Sequence, residues 1–130
     1  MKQEFKHLKV IEIASVLAGP SVGLFFAEMG AEVIKIENKK TGGDITRSWK
    51  LPTESKDSAV SAYYSSVNWH KKSIFMDFNE QDDDKQLKSL ITSADILIVN
   101  FKKGDAEKFN LDYPTLKKLN DQLIYGEITG

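Results

Sequence analysis

Apolar residues follow two patterns along this chain, and the two patterns alternate. Short runs rich in Val and Ile predict strands over residues 7–13, 33–37, 72–78, 94–101 and 123–128. Segments with apolar residues on one face predict helices between them, over residues 20–29, 59–68, 80–93, 106–109 and 113–120. Residues 38–58 are polar and interrupted by Gly42, Gly43 and Pro52, so we interpret them as a long loop.

Residues 16–37 carry the clearest local signals. Pro20 suits the first position of a helix, where its missing N–H costs nothing. Gly30 is the expected end of that helix, because glycine tolerates positive φ. The apolar run that follows is typical of a strand covered on both faces. Together with the strand before it, this segment predicts the β-α-β unit that opens a parallel sheet, whose first loop usually meets the ligand.

Strands alternate with helices along the whole sequence, which is the pattern of an α/β protein. We therefore predict a Rossmann-like open parallel sheet with right-handed crossovers and helices on both faces. The sequence stops at Thr129 and Gly130, directly after the fifth predicted strand. We accordingly expect an incomplete large domain that belongs to a longer protein.

Composition narrows the class of protein further. The 130 residues suit a single domain, and 18 basic against 19 acidic residues give a net charge of −1. That balance does not favour a nucleic-acid or anionic-membrane surface. There are no cysteines, so disulfides, thiolate metal sites and a cysteine nucleophile are excluded. The charged N-terminus and the lack of a long apolar run lead us to expect a cytoplasmic protein with no membrane segment.

Unusual side chains fall in the loops that a parallel sheet would place along one edge. Asn100, Phe101 and Lys102 join an amide, an aromatic ring and a cation, a set that suits stacking on a purine and pairing with phosphate. The helix start at Pro20 offers free N–H groups to a phosphate, although ordinary capping explains it equally well. Residues 42–47 fit a ligand loop and a solvated loop equally, and we interpret residues 68–72 as a basic surface turn.

Dinucleotide binding is one hypothesis that these residues leave open. Glu37 ends the second strand about 20 residues after the first loop, as the ribose-binding acid does in dinucleotide folds. Residues 18–23, however, read AGPSVG, so Ser21 stands where the central glycine is needed. Catalytic signals are scarce: His7 and His70 are the only histidines and neither has metal-ligand spacing, so we expect no metal.

Six motifs, in the same order along the chain, resemble those of a known family. They are VLAGP, MGAEVIKIE, GGDITRSW, VNWHKKSIFMDF, ADILIVNFKKG and LNDQLIYGEITG. From about residue 7 onward the chain resembles the N-terminal part of the class III coenzyme A transferases, the CaiB/BaiF type. Formyl-CoA transferase and α-methylacyl-CoA racemase are members of that family.

The resemblance implies a large Rossmann-like domain that binds coenzyme A, with residues 1–130 as its N-terminal segment. Carried over position by position, it implies CoA contacts in the loops after the first four strands, from Val16, Leu17, Ala18, Asn38, Met76, Asp77, Asn79, Asn100, Phe101, Lys102 and Lys108. Relatives often have Arg, Lys and Arg where this sequence has Asn38, Asn79 and Lys108. Phosphate pairing is then expected to be weaker or to shift to other lysines, namely Lys39, Lys40, Lys71 or Lys103.

The resemblance also implies the reaction and its partners. Such enzymes exchange a CoA thioester between carboxylic acids, or racemise a 2-methylacyl-CoA, and form intertwined homodimers. In the transferases an aspartate forms covalent intermediates, and it would lie beyond Gly130, so we expect no catalytic residue in this chain. The long connection over residues 38–68 favours a transferase over a racemase. An NAD-binding oxidoreductase domain and a non-catalytic interaction module remain as alternative hypotheses.

Overall fold

The computed structural model of the chain describes residues 3–130. Its strands are β1 (Lys9–Ile13), β2 (Glu32–Asn38), β3 (Lys72–Met76), β4 (Ile96–Val99) and β5 (Ile124–Glu127). Its helices are α1 (Ala18–Glu28), α2 (Ala62–Asn68), α3 (Gln81–Thr92), α4 (Asp105–Lys108) and α5 (Tyr113–Lys117). None of the helices in this part of the chain is long and apolar enough to cross a bilayer.

The five strands form one sheet in the order β3-β2-β1-β4-β5, and every neighbouring pair is parallel. The predicted α/β fold with an open parallel sheet is therefore confirmed. Ile11 of β1 pairs with Ile34 on one side and Leu97 on the other. From β1 the sheet is extended to one side by β2 and β3 and to the other side by β4 and β5, so the strand order reverses between β1 and β4. Open parallel sheets bind ligands at the carboxyl ends of the two strands where this reversal occurs.

Helices cover both faces of the sheet. On one face, Leu87 and Ile91 of α3 and Leu116 of α5 are fully buried against the apolar side chains of the central strands. On the other face, α1 lies over β1, β2 and β4, where Ala27 packs against Val33. Full burial of each large aliphatic side chain contributes roughly 1.5–3 kcal/mol, so these two layers hold the sheet that positions the loops.

The connection between β2 and α2 is more ordered than the predicted loop over residues 38–58. Asn38 is the last residue of β2, and two 3₁₀ turns follow at Lys39–Thr41 and Ile45–Ser48. The Asn38 side chain accepts from Lys40 N (2.9 Å) and the Asp44 side chain accepts from Thr46 N (3.0 Å). Short polar side chains that bond to nearby backbone groups favour such turns, which is why this polar stretch is not a flexible loop.

Four charged side chains are buried between the sheet and the α1 side of the molecule. Lys35 Nζ lies 2.9 Å from Glu12 Oε1 and 3.1 Å from Asp44 Oδ2. Lys71 Nζ lies 2.7 Å from Glu12 Oε2. We call Glu12, Lys35, Asp44 and Lys71 the buried charge cluster. Helix α1 can approach it because Gly23 has no side chain: a Cβ there would lie 1.8 Å from Glu12 Oε2.

The predicted basic surface turn over residues 68–72 is wrong for Lys71. Its side chain is only 1% exposed, and burial lowers its pKa to about 8 despite the attraction of Glu12. Lys71 is therefore not available to pair with a phosphate. His70 and Lys72 fit the prediction, since both are exposed, and Lys72 pairs with Glu32 at 2.7 Å. The turn leads into β3 at its amino end, so it lies at the edge of the sheet opposite the ligand loops.

Candidate functional site

A cleft of about 430 Å³ opens at the carboxyl ends of the central strands. Its volume lies within the range of small-molecule and cofactor sites. It is lined by the residues that follow four strands: Ile13, Ala14 and Ser15 after β1, Ile36, Glu37, Asn38, Thr41, Gly43, Asp44 and Ile45 around the end of β2, Phe78 after β3, and Asn100, Phe101, Lys102, Asp105 and Phe109 after β4. The loops predicted to meet the ligand therefore share one edge.

The loop from β1 to α1 has an unusual backbone conformation. Val16 has φ +71, in the left-handed region that β-branched residues avoid. Leu17 is half exposed and precedes α1, which begins at Ala18 without a side-chain cap. The first N–H groups of a helix have no intrahelical acceptor, and the helix dipole makes this end positive. The structure thus places the three predicted contacts Val16, Leu17 and Ala18 at an uncapped helix start beside the cleft, and none of the three is a lining residue.

Asn100 joins this loop to the loop after β4. Its side-chain Oδ1 accepts from Ser15 N (3.1 Å), and its Nδ2 donates to Ser15 O (2.8 Å). Asn100 is one of the predicted CoA contacts, and it lines the cleft. Both ends of its amide bond to backbone, so Asn100 also fixes the position of the first loop.

The predicted residues around the end of β3 behave differently from one another. Met76 is fully buried in the core on the α3 side, so its side chain does not reach the cleft. Asp77 accepts from Asn79 N (3.0 Å) and forms an ion pair with Lys40 (3.2 Å), and these contacts lower its pKa. Asn38 and Asn79 are both exposed, and only Asn38 lines the cleft.

The predicted residues after β4 divide in the same way. Phe101 is partly buried and Lys102 is exposed, and both line the cleft. Lys108 is exposed in α4 and lies over the ring of Phe109, with its Nζ 5.1 Å from the ring centre. Lys108 is not among the lining residues, so Lys102 is the predicted cation that the structure brings to the cleft.

Glu37 is buried and its carboxylate is already occupied. Arg47 donates to both of its oxygens, from Nε at 2.9 Å and from Nη2 at 2.5 Å, and Ser73 and Tyr64 donate hydroxyl groups to it. Burial works to raise the pKa of Glu37, but the hydrogen bonds from Arg47, Ser73 and the Asp44 backbone N–H outweigh it and hold the pKa at about 2. The carboxylate is not free for ribose hydroxyls, so the NAD hypothesis loses the residue on which it depended.

A second cavity, of about 500 Å³, lies beside β5. Its lining includes Glu107, Asp112 and Glu127. Three carboxylates without a lysine or arginine in the lining disfavour the approach of a phosphate-bearing ligand, so this cavity is the weaker candidate for the site. Among residues 3–130, no group of three or more His, Asp or Glu side chains is arranged to hold a metal ion.

Two residues important to the cleft were missed by the sequence analysis. Lys35 is fully buried and donates to Ala14 O at 2.6 Å, so it contacts the first loop from beneath. Asp44 accepts from Val16 N at 3.3 and 3.4 Å. A signal existed in the sequence: Lys35 interrupts an apolar strand that was predicted to be covered on both faces, and a buried lysine requires a carboxylate.

Comparison with known proteins supports the assignment suggested by the fold. The family model described as CoA-transferase family III matches residues 5–130. Succinate–glutarate CoA-transferase of Agrobacterium fabrum is 44% identical over 99% of this chain and 33% of its own length. Succinyl-CoA:mesaconate CoA-transferase of Haloarcula hispanica is 39% identical over 95% of this chain and 31% of its own.

Solved structures agree with the sequence relatives. A crystal structure of a CaiB/BaiF family protein from Brucella suis superposes with a TM-score of 0.91 and 40% identity, over all of this chain and 34% of the other. The chain thus spans about a third of the length of the relatives that it matches. This coverage agrees with the expected resemblance to the N-terminal part of longer enzymes. This chain belongs to CoA-transferase family III.

Proposed function

We propose that residues 1–130 form the N-terminal, CoA-binding segment of an enzyme that exchanges coenzyme A between carboxylic acids. The observation that carries the proposal is the cleft itself. It lies at the carboxyl edge of a parallel sheet, beside the start of α1, in a chain that belongs to CoA-transferase family III. The curated relatives described above act, by name, as CoA-transferases, which favours a transferase over the racemase alternative.

The chemistry of the cleft suits a phosphate-bearing thioester. The uncapped start of α1 supplies N–H groups to an anion. Lys102 adds an exposed ammonium on the other side of the cleft, and Phe101 adds an aromatic face for stacking. We therefore assign the diphosphate of coenzyme A to the α1 side and its adenine to the Phe101 side.

The acids to be tested first follow from the names of the relatives. One relative is a succinate–glutarate CoA-transferase and another a succinyl-CoA:mesaconate CoA-transferase. These acids are short dicarboxylates, and we propose succinyl-CoA as the first thioester and glutarate and mesaconate as acceptors.

We place the nucleophilic carboxylate outside this chain. Acyl transfer through a covalent intermediate needs a carboxylate that can attack the thioester carbon. Of the three acids that line the cleft, Glu37 is paired with Arg47 and Asp44 with Lys35, whereas Asp105 forms no ion pair among residues 3–130. We do not assign the nucleophile to Asp105, because the family resemblance implies an aspartate in the remainder of a longer polypeptide.

Calorimetric titration of coenzyme A into the full 130-residue chain tests the proposal. We expect saturable binding of CoA and none of NADH. Lys102→Ala should weaken CoA binding by roughly fivefold, equivalent to about 1 kcal/mol for an exposed ion pair. Lys103→Ala is the matched control, because Lys103 is the adjacent exposed lysine and does not line the cleft.

Two outcomes would overturn the proposal. Tight binding of NADH without binding of CoA would favour the oxidoreductase alternative. Binding of neither nucleotide by a chain whose circular dichroism shows the α/β fold would favour the interaction-module alternative.

A further inference from the structure

The buried charge cluster and Asn100 together contact three consecutive residues of the first loop. Lys35 Nζ donates to Ala14 O (2.6 Å), and the Asp44 carboxylate accepts from Val16 N (3.3 and 3.4 Å). Asn100 bonds to both backbone groups of Ser15 between them. Each of these contacts comes from a side chain outside the loop. Lys35 belongs to β2, Asp44 follows β2, and Asn100 follows β4.

The loop needs such support because of its conformation. Val16 has φ +71, and a β-branched residue adopts the left-handed region only when its surroundings impose it. Strain of this kind is typical of ligand-binding segments. The Val16 N–H bond to Asp44 is the contact nearest to the strained residue; it is charge-assisted, because its acceptor is a carboxylate, and long, with N···O distances of 3.3 and 3.4 Å.

Asp44 performs this role as a partner of Lys35. The Asp44 side chain is 1% exposed and that of Lys35 is not exposed at all, and Lys35 also pairs with Glu12, so removal of the Asp44 charge would leave the cluster with an unbalanced buried charge. Asp44 also accepts from Thr46 N and Thr46 Oγ1, at 3.0 and 2.8 Å. Its carboxylate is thus fixed in orientation on one side and faces Val16 on the other.

We infer that Lys35 and Asp44 are positioning residues for coenzyme A. They do not touch the ligand but hold the loop from β1 to α1 so that the start of α1 faces the cleft. The inference rests on the proposed function in one respect, namely that the ligand at this helix start is coenzyme A. The holding of the loop itself is independent of the ligand.

Asp44→Asn tests the inference, because it keeps the size of the side chain and removes its charge. The measurements on the full chain are the hydrogen-exchange rate of the Val16 amide without ligand and the Kd for coenzyme A by calorimetry. We expect the Val16 amide to exchange about tenfold faster and CoA binding to weaken about tenfold, the loss that follows from one charge-assisted bond. Global unfolding measured in urea shows that the comparison is made on folded protein.

Leu116→Ala is the control for a merely structural effect. Leu116 is fully buried on the opposite face of the sheet, so its truncation lowers stability without contacting the loop. We expect this variant to keep the CoA affinity and the local exchange rate of Val16. If Asp44→Asn does not fold, Thr46→Val replaces it. That variant removes the hydroxyl bond that orients Asp44, and we expect about threefold effects in the same direction.

The possible results separate the two proposals. Unchanged Val16 exchange in the folded Asp44 or Thr46 variant overturns the inference, and so does an equal loss of CoA affinity in Leu116→Ala. Faster Val16 exchange in a chain that binds no coenzyme A supports the holding of the loop and overturns the proposed function instead.

Discussion

Replacement of Glu37 by glutamine tests the second group of buried charges. The Glu37 side chain is 1% exposed and its Oε2 lies 2.5 Å from Arg47 Nη2. Glutamine keeps the size of the side chain but removes the charge, and its amide nitrogen cannot accept a hydrogen bond. Arg47 is then left without its carboxylate. We expect the variant to be less stable than the wild type at neutral pH and equally stable in strong acid.

The magnitude follows from the pKa of Glu37. The fold lowers it from 4.5 to about 2, and each pKa unit corresponds to about 1.36 kcal/mol. Ionised Glu37 therefore contributes roughly 2–3 kcal/mol to folding, after allowance for solvent at Arg47, which is 17% exposed. Because the folded-state pKa is the lower one, this contribution is complete above pH 4.5 and is lost as the pH falls towards 2.

Urea unfolding at several pH values between 7 and 2, followed by circular dichroism, measures the free energy of unfolding of each protein and resolves differences of ~0.5 kcal/mol. The difference between wild type and Glu37→Gln should be about 2–3 kcal/mol at pH 7 and should approach zero near pH 2. Glu32→Gln is the matched control, since Glu32 lies on the same strand and its pair with Lys72 is exposed on both sides. That exposed pair should contribute less than about 1 kcal/mol.

Two results would refute this reasoning. One is a difference between Glu37→Gln and the wild type that stays constant from pH 7 to strong acid, because a constant loss has no link to ionisation. The other is an equal effect of Glu32→Gln, because burial would then not distinguish the two carboxylates.

Two further substitutions test packing and a buried phenol. Gly23→Ala places a Cβ 1.8 Å from Glu12 Oε2 and should lower the free energy of unfolding in urea by at least about 2 kcal/mol. The exposed control Ser21→Ala in the same helix should change it by no more than about 0.5 kcal/mol. Equal stability of the two variants would contradict the close approach of α1 to the sheet. Tyr125→Phe removes the hydroxyl that donates to Leu111 O at 3.0 Å and should cost about 1 kcal/mol. Burial, assisted by nearby carboxylates, raises the pKa of Tyr125 to about 12, so the variant should lose one late-titrating phenol in an alkaline absorbance titration; an unchanged titration curve would be incompatible with that pKa.

The sheet and its helices were largely predictable because they depend on local signals. Apolar runs predict all five strands, and the strand–helix alternation predicts the parallel sheet that the structure has. Gly30, the expected end of the first helix, indeed has a positive φ of +97. Boundaries were less accurate: α2 begins at Ala62 and not at residue 59, because the Ser61 hydroxyl accepts from Tyr64 N at 2.9 Å and caps the helix there.

The pairing of the buried charges was not predictable, because it depends on register and not on sequence spacing. Glu12 and Lys35 are 23 residues apart and meet because they pair directly across β1 and β2. The carboxyl-edge loops, in contrast, were correctly grouped, since parallel strands alone place Ser15 beside Asn100.

The four charges beneath α1 also constrain how this protein can be altered by evolution or by engineering. Loss of any single member leaves the other three with an unbalanced buried charge, at a cost of about 3–5 kcal/mol, which is a large part of the stability of an ordinary domain. Positions 12, 35, 44 and 71 are therefore expected to be inherited together, with viable replacements arriving as balanced pairs. Anyone who transplants the VLAGP loop into another scaffold would need to carry all four along with it.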